Sequence, residues 1–129
     1  DVAPSRGLGD VYKRQVISPR ELSEHFSVGE VGAAVLTSKG NIYTGICLDV
    51  ACSLGFCAER NAISTMLTNG EYEFVKICAV YKDGGVMPPC GACREFMMQM
   101  GTFAKQIEIL IDNDGKTVLL SELMPAYWI

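Results

Sequence analysis

Two short stretches carry residue types from which a catalytic site can be built: Cys57-Ala58-Glu59-Arg60 and Pro89-Cys90-Gly91-Ala92-Cys93-Arg94. Cys90 and Cys93 stand three apart at an expected helix start, so both sulfurs face one point. Cys57 opens a second expected helix. A helix N-terminus offers unpaired N–H groups and the positive end of the dipole, which favour thiolate over thiol. Two such termini meeting would place three thiolates around one soft cation. Zinc, bound by sulfur at about 2.3 Å, is the natural occupant.

The count of three decides what such a metal does. Structural zinc sites are closed by four protein ligands, whereas catalytic sites leave the fourth position to water. A site of that kind needs a proton carrier that is not itself a ligand. Glu59, two residues beyond Cys57, is expected to fill that role as the catalytic acid and base. The alternatives are plain. A lone C-x-x-C is a redox dithiol, half of a structural zinc site or chance. A redox dithiol requires neither Cys57 nor Glu59, and a structural site requires a fourth ligand from His25, Cys47, Cys52 or Cys78. Cys78 sits within an apolar run and reads as a small core residue, and Cys47 and Cys52 as core or cleft lining.

Periodicity supplies the elements that must carry these residues. Ser18-Pro19-Arg20-Glu21 has the chemistry of a helix start, giving a short helix to about Gly29. Val31 to Thr37 and Ile42 to Leu48 read as strands paired as a hairpin through Ser38-Lys39-Gly40-Asn41. From Ala58 the period becomes helical, with Ala58, Ala62, Ile63, Met66 and Leu67 on one face and Asn69-Gly70 as the stop. Phe74 to Tyr81 is a buried strand. A second helix runs from about Gly91, with Phe96, Met97 and Met100 inward. Ile107 to Ile111 and Thr117 to Leu120 are strands about the turn Asn113-Asp114-Gly115, and Ser121 to Met124 is a helical turn stopped by Pro125. The order α-β-β-α-β-α-β-β makes one α/β sandwich with a mixed five-stranded sheet.

Composition narrows the function classes. The chain has 129 residues, 49% hydrophobic and 20% charged, enough for one folded core and too apolar for a disordered chain. No apolar run reaches the ~18 residues of a membrane span. The net charge of −4 and the absence of a Lys/Arg run count against binding nucleic acid, which is largely electrostatic. Residues 1–15 show neither periodicity nor an apolar signal segment, and Gly7 to Gln15 resembles translated adaptor sequence. They are read as a non-native leader, with residues 16–129 as a single domain. The reducing cytoplasm is the expected compartment for six unpaired cysteines.

The C-A-E-R and P-C-G-A-C-R pair, 33 residues apart, resembles the cytidine deaminase superfamily in its three-cysteine form. The resemblance spans roughly residues 20–129. It takes in Val31-Gly32-Ala33-Ala34, Tyr43-Thr44-Gly45 and the tail Glu122-Leu123-Met124-Pro125-Ala126-Tyr127-Trp128, similar to that of small tetrameric cytidine deaminases and blasticidin-S deaminase-like proteins. It implies a three-layer α-β-α sandwich and Zn²⁺ held by Cys57, Cys90 and Cys93. It also implies hydrolytic deamination of an aminopyrimidine nucleoside, in a homotetramer with shared sites. The backbone at Ala58 would meet the base, with Cys47 and Asp49 in the substrate-binding stretch. Arg60 is expected to hydrogen-bond the ligand sulfurs, offsetting the formal −1 of Zn²⁺ with three thiolates. The bland reading of Arg60 and of Arg94 is a solvated surface arginine.

Three departures bear on the substrate. The family's Asn-x-Glu-Asn is here Cys47-Leu48-Asp49-Val50, the aromatic expected two residues before Val31 is Gly29, and the Ser or Thr before Pro-Cys is Pro88. The zinc chemistry is untouched, while the changed sugar and base contacts move the chain toward blasticidin-S deaminase-like or uncharacterised deaminase subgroups. Tyr127 and Trp128 are expected either to reach a neighbouring subunit's pocket or to pack on their own. A non-catalytic zinc-stabilised interaction module is the alternative of another class, and it has no need of Glu59.

Overall fold

The computed structural model describes residues 17–129, and the leader expected over residues 1–15 lies outside the described residues. The fold is organised on one long strand, β2 (Phe26–Thr37), preceded by the short β1 (Arg20–Ser23). The β2 run Ala33, Ala34 and Val35 is fully buried, as small and β-branched residues in a central strand should be. β3 (Ile42–Val50) runs antiparallel along one side of β2. β1 pairs with the first part of the other side, and β4 (Phe74–Tyr81) with the second. β5 (Glu108–Leu110) is parallel to β4, and β6 (Thr117–Leu119) antiparallel to β5. The helices are α1 (Ala58–Thr68), α2 (Gly91–Met98) and the single turn α3 (Leu120–Leu123), with a 3₁₀ turn over Thr102–Gln106.

The sheet is mixed, as expected, but it has six strands rather than five. The difference lies in residues 20–23, expected as a helix and found as β1. Leu22 is the one apolar residue there and is exposed, so a helix would have had no stripe to bury. The free edge of β2 instead takes the segment as a partner, Arg20 opposite Val28 and Glu21 opposite Ser27. Gly29 is required at this crossing. Its φ is +85°, and a Cβ would lie 2.4 Å from the Ser18 carbonyl oxygen.

α1 lies on β2 and β3 with Ala58, Ala62, Ile63 and Met66 buried, while Leu67, expected with them, is exposed. Gly45 permits the close approach. A Cβ there would stand 2.3 Å from the Ala62 nitrogen. Asn61 Nδ2 donates to the Ile46 carbonyl at 3.0 Å and fixes the helix along the strand. In α2 the inward residues are Cys93, Met97 and Met98, whereas Phe96, expected inward, is 40% exposed. With two turns of helix, the buried face is set by the Cys93–Met97 line, and Phe96 falls off it.

The tail docks on α2 of its own chain. Tyr127 donates its hydroxyl proton to the Glu95 carboxylate, and Trp128 Nε1 donates to Glu95 Oε1 at 3.2 Å. Among the described residues no helix is long and apolar enough to cross a membrane.

Candidate metal centre and active site

Cys57 and Cys90 are the N-cap residues of α1 and α2, both with extended backbone and neither capping its helix through the side chain. Their thiols are thus free to turn toward each other, and the Sγ atoms lie 3.4 Å apart, unbonded. Cys93, one turn into α2 and fully buried, completes the group, and all three Sγ atoms lie within 4.8 Å of one another. A tetrahedral zinc with Zn–S of about 2.3 Å separates its sulfurs by about 3.8 Å, so the cluster fits one such ion, and soft sulfur donors suit it.

No fourth ligand joins them among the described residues. His25 sits on the β1–β2 turn, with Nε2 4.0 Å from Glu24. Cys47, Cys52 and Cys78 stand outside the cluster, and Cys78 is a core residue whose thiol burial pushes up to about 12.

The expected thiolate bias at helix starts holds for only one sulfur. Burial raises the Cys90 thiol, but the Cys93 backbone N–H and the Cys57 side chain outweigh it and the net direction is down. Burial wins at Cys57, and at Cys93 burial together with the Glu59 carboxylate drives the thiol far up. Helix ends alone therefore do not favour thiolate at all three sulfurs, and a coordinated cation is what deprotonates such thiols outright.

Arg60, one turn along α1, places Nη2 3.9 Å from Cys57 Sγ. Burial opposes its charge, yet the sulfurs of Cys57 and Cys93 more than restore it. Arg94, read from sequence as a solvated surface arginine, is tied down instead. Its Nε donates to the Pro89 carbonyl at 2.8 Å and its Nη1 to the Leu123 carbonyl at 3.4 Å. It braces the turn that presents Cys90, a role no local pattern announces.

A cavity of about 460 Å³ opens beside the cluster, with Cys57, Cys90, Ala58, Glu59, Cys47 and Asp49 among its walls. Every expected site residue except the fully buried Cys93 therefore lines one space. Glu59 is 5% exposed, and burial raises its carboxyl above the ordinary value against the smaller pull of its own backbone N–H and Arg60. Sequence reasoning missed Glu30, Phe56 and Met87, which also line the cavity. Phe56 is the aromatic residue of this wall, held by reciprocal backbone bonds to Leu48 at 3.0 and 3.1 Å, whereas Phe26 lines a shallower hollow near Asp49.

Residues 11–109 match the family model described as the cytidine and deoxycytidylate deaminase zinc-binding region. A cytidine deaminase of Halalkalibacterium halodurans is 31% identical over 103 residues, covering 78% of each chain. A blasticidin-S deaminase of Bacillus cereus is 34% identical over 106 residues, covering 74% of each. The crystal structure of cytidine deaminase from Mycobacterium tuberculosis aligns with a TM-score of 0.74 at 25% identity, covering 95% of both chains. Sequence, fold and the placement of three sulfurs agree, and the chain belongs to the cytidine and deoxycytidylate deaminase zinc-binding family.

Proposed function

We propose that the protein is a zinc-dependent aminohydrolase that converts a cytidine-type aminopyrimidine nucleoside to the uridine-type product and ammonia. The observation that carries this is Glu59, a buried carboxyl with raised proton affinity on the cavity wall beside the three sulfurs and outside their cluster. A non-catalytic scaffold has no use for a buried acid there, since burial without a partner is costly.

Cys57, Cys90 and Cys93 would hold the zinc. When bound, zinc lowers the pKa of a water from about 16 to about 7 and supplies hydroxide near neutral pH. Glu59 would take up the proton released from that water and deliver it to the ring nitrogen of the base. The oxygen of that water would bond to the ring carbon bearing the amino group, and its second proton would pass through the same carboxyl to that group, which leaves as ammonia as the C–N bond breaks. Burial keeps the Glu59 proton available longer than on a surface glutamate. The backbone at Ala58 meets the base edge, and Asp49 accepts from the donors of the attached sugar. Arg60, with Nη2 3.9 Å from Cys57 Sγ, would offset sulfur charge and keep a bound metal electrophilic.

Blasticidin S is the second candidate substrate, favoured by the 34% identity to a blasticidin-S deaminase and by Cys47 and Asp49 on the cavity wall. A place in pyrimidine salvage, a cytoplasmic location and a homotetramer belong to the same reading. The unbridged cysteines and the exposed Phe96, Trp128 and Ile129 support the last two. The test is to incubate zinc-loaded protein with cytidine, deoxycytidine and blasticidin S and follow the ultraviolet change on loss of the amino group. Turnover of at least one is expected, and Glu59→Gln should retain zinc and abolish it. No turnover of any of the three would overturn the reading.

A further inference from the structure

We propose that Cys47 is a positioning residue whose thiol joins the β2 bulge to Asp49 and aims the Asp49 carboxylate at hydrogen-bond donors on the sugar side of the substrate. The inference rests on the deaminase reading above. It starts from a break in the ladder: the register of β2 against β3 shifts between Val28 and Gly32. A bulge of this kind re-aims the residues it carries. Within it the Val31 N–H donates to Cys47 Sγ at 3.3 Å.

The same sulfur donates its proton to Asp49 Oδ2, with Sγ and Oδ2 3.7 Å apart. A thiol that accepts from a backbone N–H is polarised and becomes the better donor. Cys47 and Asp49 are two apart on β3, so both side chains leave the same face, the face that walls the cavity.

The carboxylates in that wall are therefore sorted into different tasks. Glu59 is buried beside the sulfurs. Glu30 is drawn to Lys82, with Nζ 3.3 Å from Oε1. Asp49 is held through Oδ2 by a weak donor, and its Oδ1 stays available for a hydroxyl. A carboxamide at position 47 would address the substrate directly. The thiol, 92% covered and engaged on both sides, acts through its neighbour.

Steady-state kinetics with cytidine and 2′,3′-dideoxycytidine test this on the parent, Cys47→Val, Cys47→Ser, Asp49→Ala and the Cys47→Val/Asp49→Ala double variant. Cys47→Val should raise KM for cytidine about fivefold, the worth of one ordinary hydrogen bond, and leave kcat within about twofold. Cys47→Ser, which keeps donor and acceptor, should recover most of the loss. KM for the dideoxy substrate should not respond, and Cys47→Val should add nothing once Asp49 is Ala.

An equal loss on both substrates, or an undiminished effect in the Asp49→Ala background, overturns the proposal while the deaminase reading stands. Should the parent turn over no cytidine, the deaminase reading is judged separately on deoxycytidine and blasticidin S, and uridine affinity measured calorimetrically on the same five proteins decides for Cys47. The same pattern in Kd supports it. Equal Kd values, or no uridine binding to the parent, overturn it.

Discussion

Arg60 Nη2 stands 3.9 Å from Cys57 Sγ, across one turn of the helix that Cys57 itself begins. The guanidinium is fixed by the same element that fixes the sulfur, so its charge travels with the ligand. The sulfurs of Cys57 and Cys93 strengthen its ionisation against burial, and three thiolates holding a divalent cation would present it with a net negative centre.

Replacing Arg60 by Gln keeps a donor and removes the charge. Zinc affinity is expected to fall about 10- to 100-fold, the usual cost of losing a group that supports a metal ligand. Competition with a colorimetric chelator measures it. Unchanged zinc retention together with unchanged activity would show that Arg60 is a surface arginine after all.

Glu59→Gln removes the proton carrier and leaves the three sulfurs in place. The rate on the accepted nucleoside should drop by about 10²–10⁴, the contribution of a positioned acid and base, with zinc content still at one per chain. Metal analysis and the ultraviolet assay on the same sample separate the two outcomes. Surviving turnover would mean that the carboxyl has another task.

Gly45→Ala tests how α1 is seated. The added methyl meets backbone, 2.3 Å from the Ala62 nitrogen and 2.7 Å from the Asn61 carbonyl carbon, and neither can swing aside. The helix must lift from β3, at a cost of about 1–3 kcal/mol. Urea unfolding reads that cost. Because Cys57 and Glu59 ride on α1, zinc affinity should decline in parallel, and a variant of parental stability would contradict the packing described.

Acid sensitivity should trace to the opposite part of the molecule. Glu71 is nearly buried and accepts from Tyr43 at 2.5 Å and from Asn41 at 2.9 Å. The Tyr43 hydroxyl above all, then Thr37, holds its carboxyl below the ordinary value despite burial. Its contribution is therefore complete above the unfolded-chain pKa of about 4.3 and disappears as pH falls through the lower folded value. Glu71→Gln should be less stable than the parent at pH 7, with the gap closing as pH drops below about 4. A constant gap across that range in denaturant titrations would assign the loss to packing instead.

The cysteines outside the cluster should differ sharply toward a thiol reagent at pH 8. Cys52 is exposed, on a loop residue of φ +62°. Cys78 is 2% exposed, with its thiol pushed up to about 12 by burial. Burial and the smaller thiolate fraction that goes with it both slow Cys78. Mass-spectrometric mapping of zinc-loaded protein should show Cys52 labelled first and Cys78 only on unfolding.

Sequence pattern carried much of this structure because chemistry and periodicity coincide at the functional elements. Phe74 to Tyr81 is a strand with the expected ends, and the helices begin at Ala58 and Gly91 as cap and period require. The cysteines that open them converge because both helices start at the same end of the sheet. The segment around Arg20 was illegible for a physical reason. Ser and Pro give a good local helix start, but the unpaired edge of β2 is a stronger partner than a helix with nothing to bury. Phe96 misled because a two-turn helix has too few residues to reveal its inward face. Arg94 and Phe56 are visible only in three dimensions, since their partners at Leu123 and Leu48 lie far along the chain or follow from a bridge no pattern marks.

The sulfurs of Cys57 and Cys90 belong to segments 33 residues apart, with α1 and β4 between them. An ion that grips both ends works as a reversible staple, because the unfolded chain must let go of it to regain its freedom. The melting temperature then becomes a gauge of free zinc. A thousandfold excess over the dissociation constant adds about 4 kcal/mol to the folded state. Chelation should lower that temperature and halt deamination together, since endurance and catalysis in this chain would draw on one shared ion.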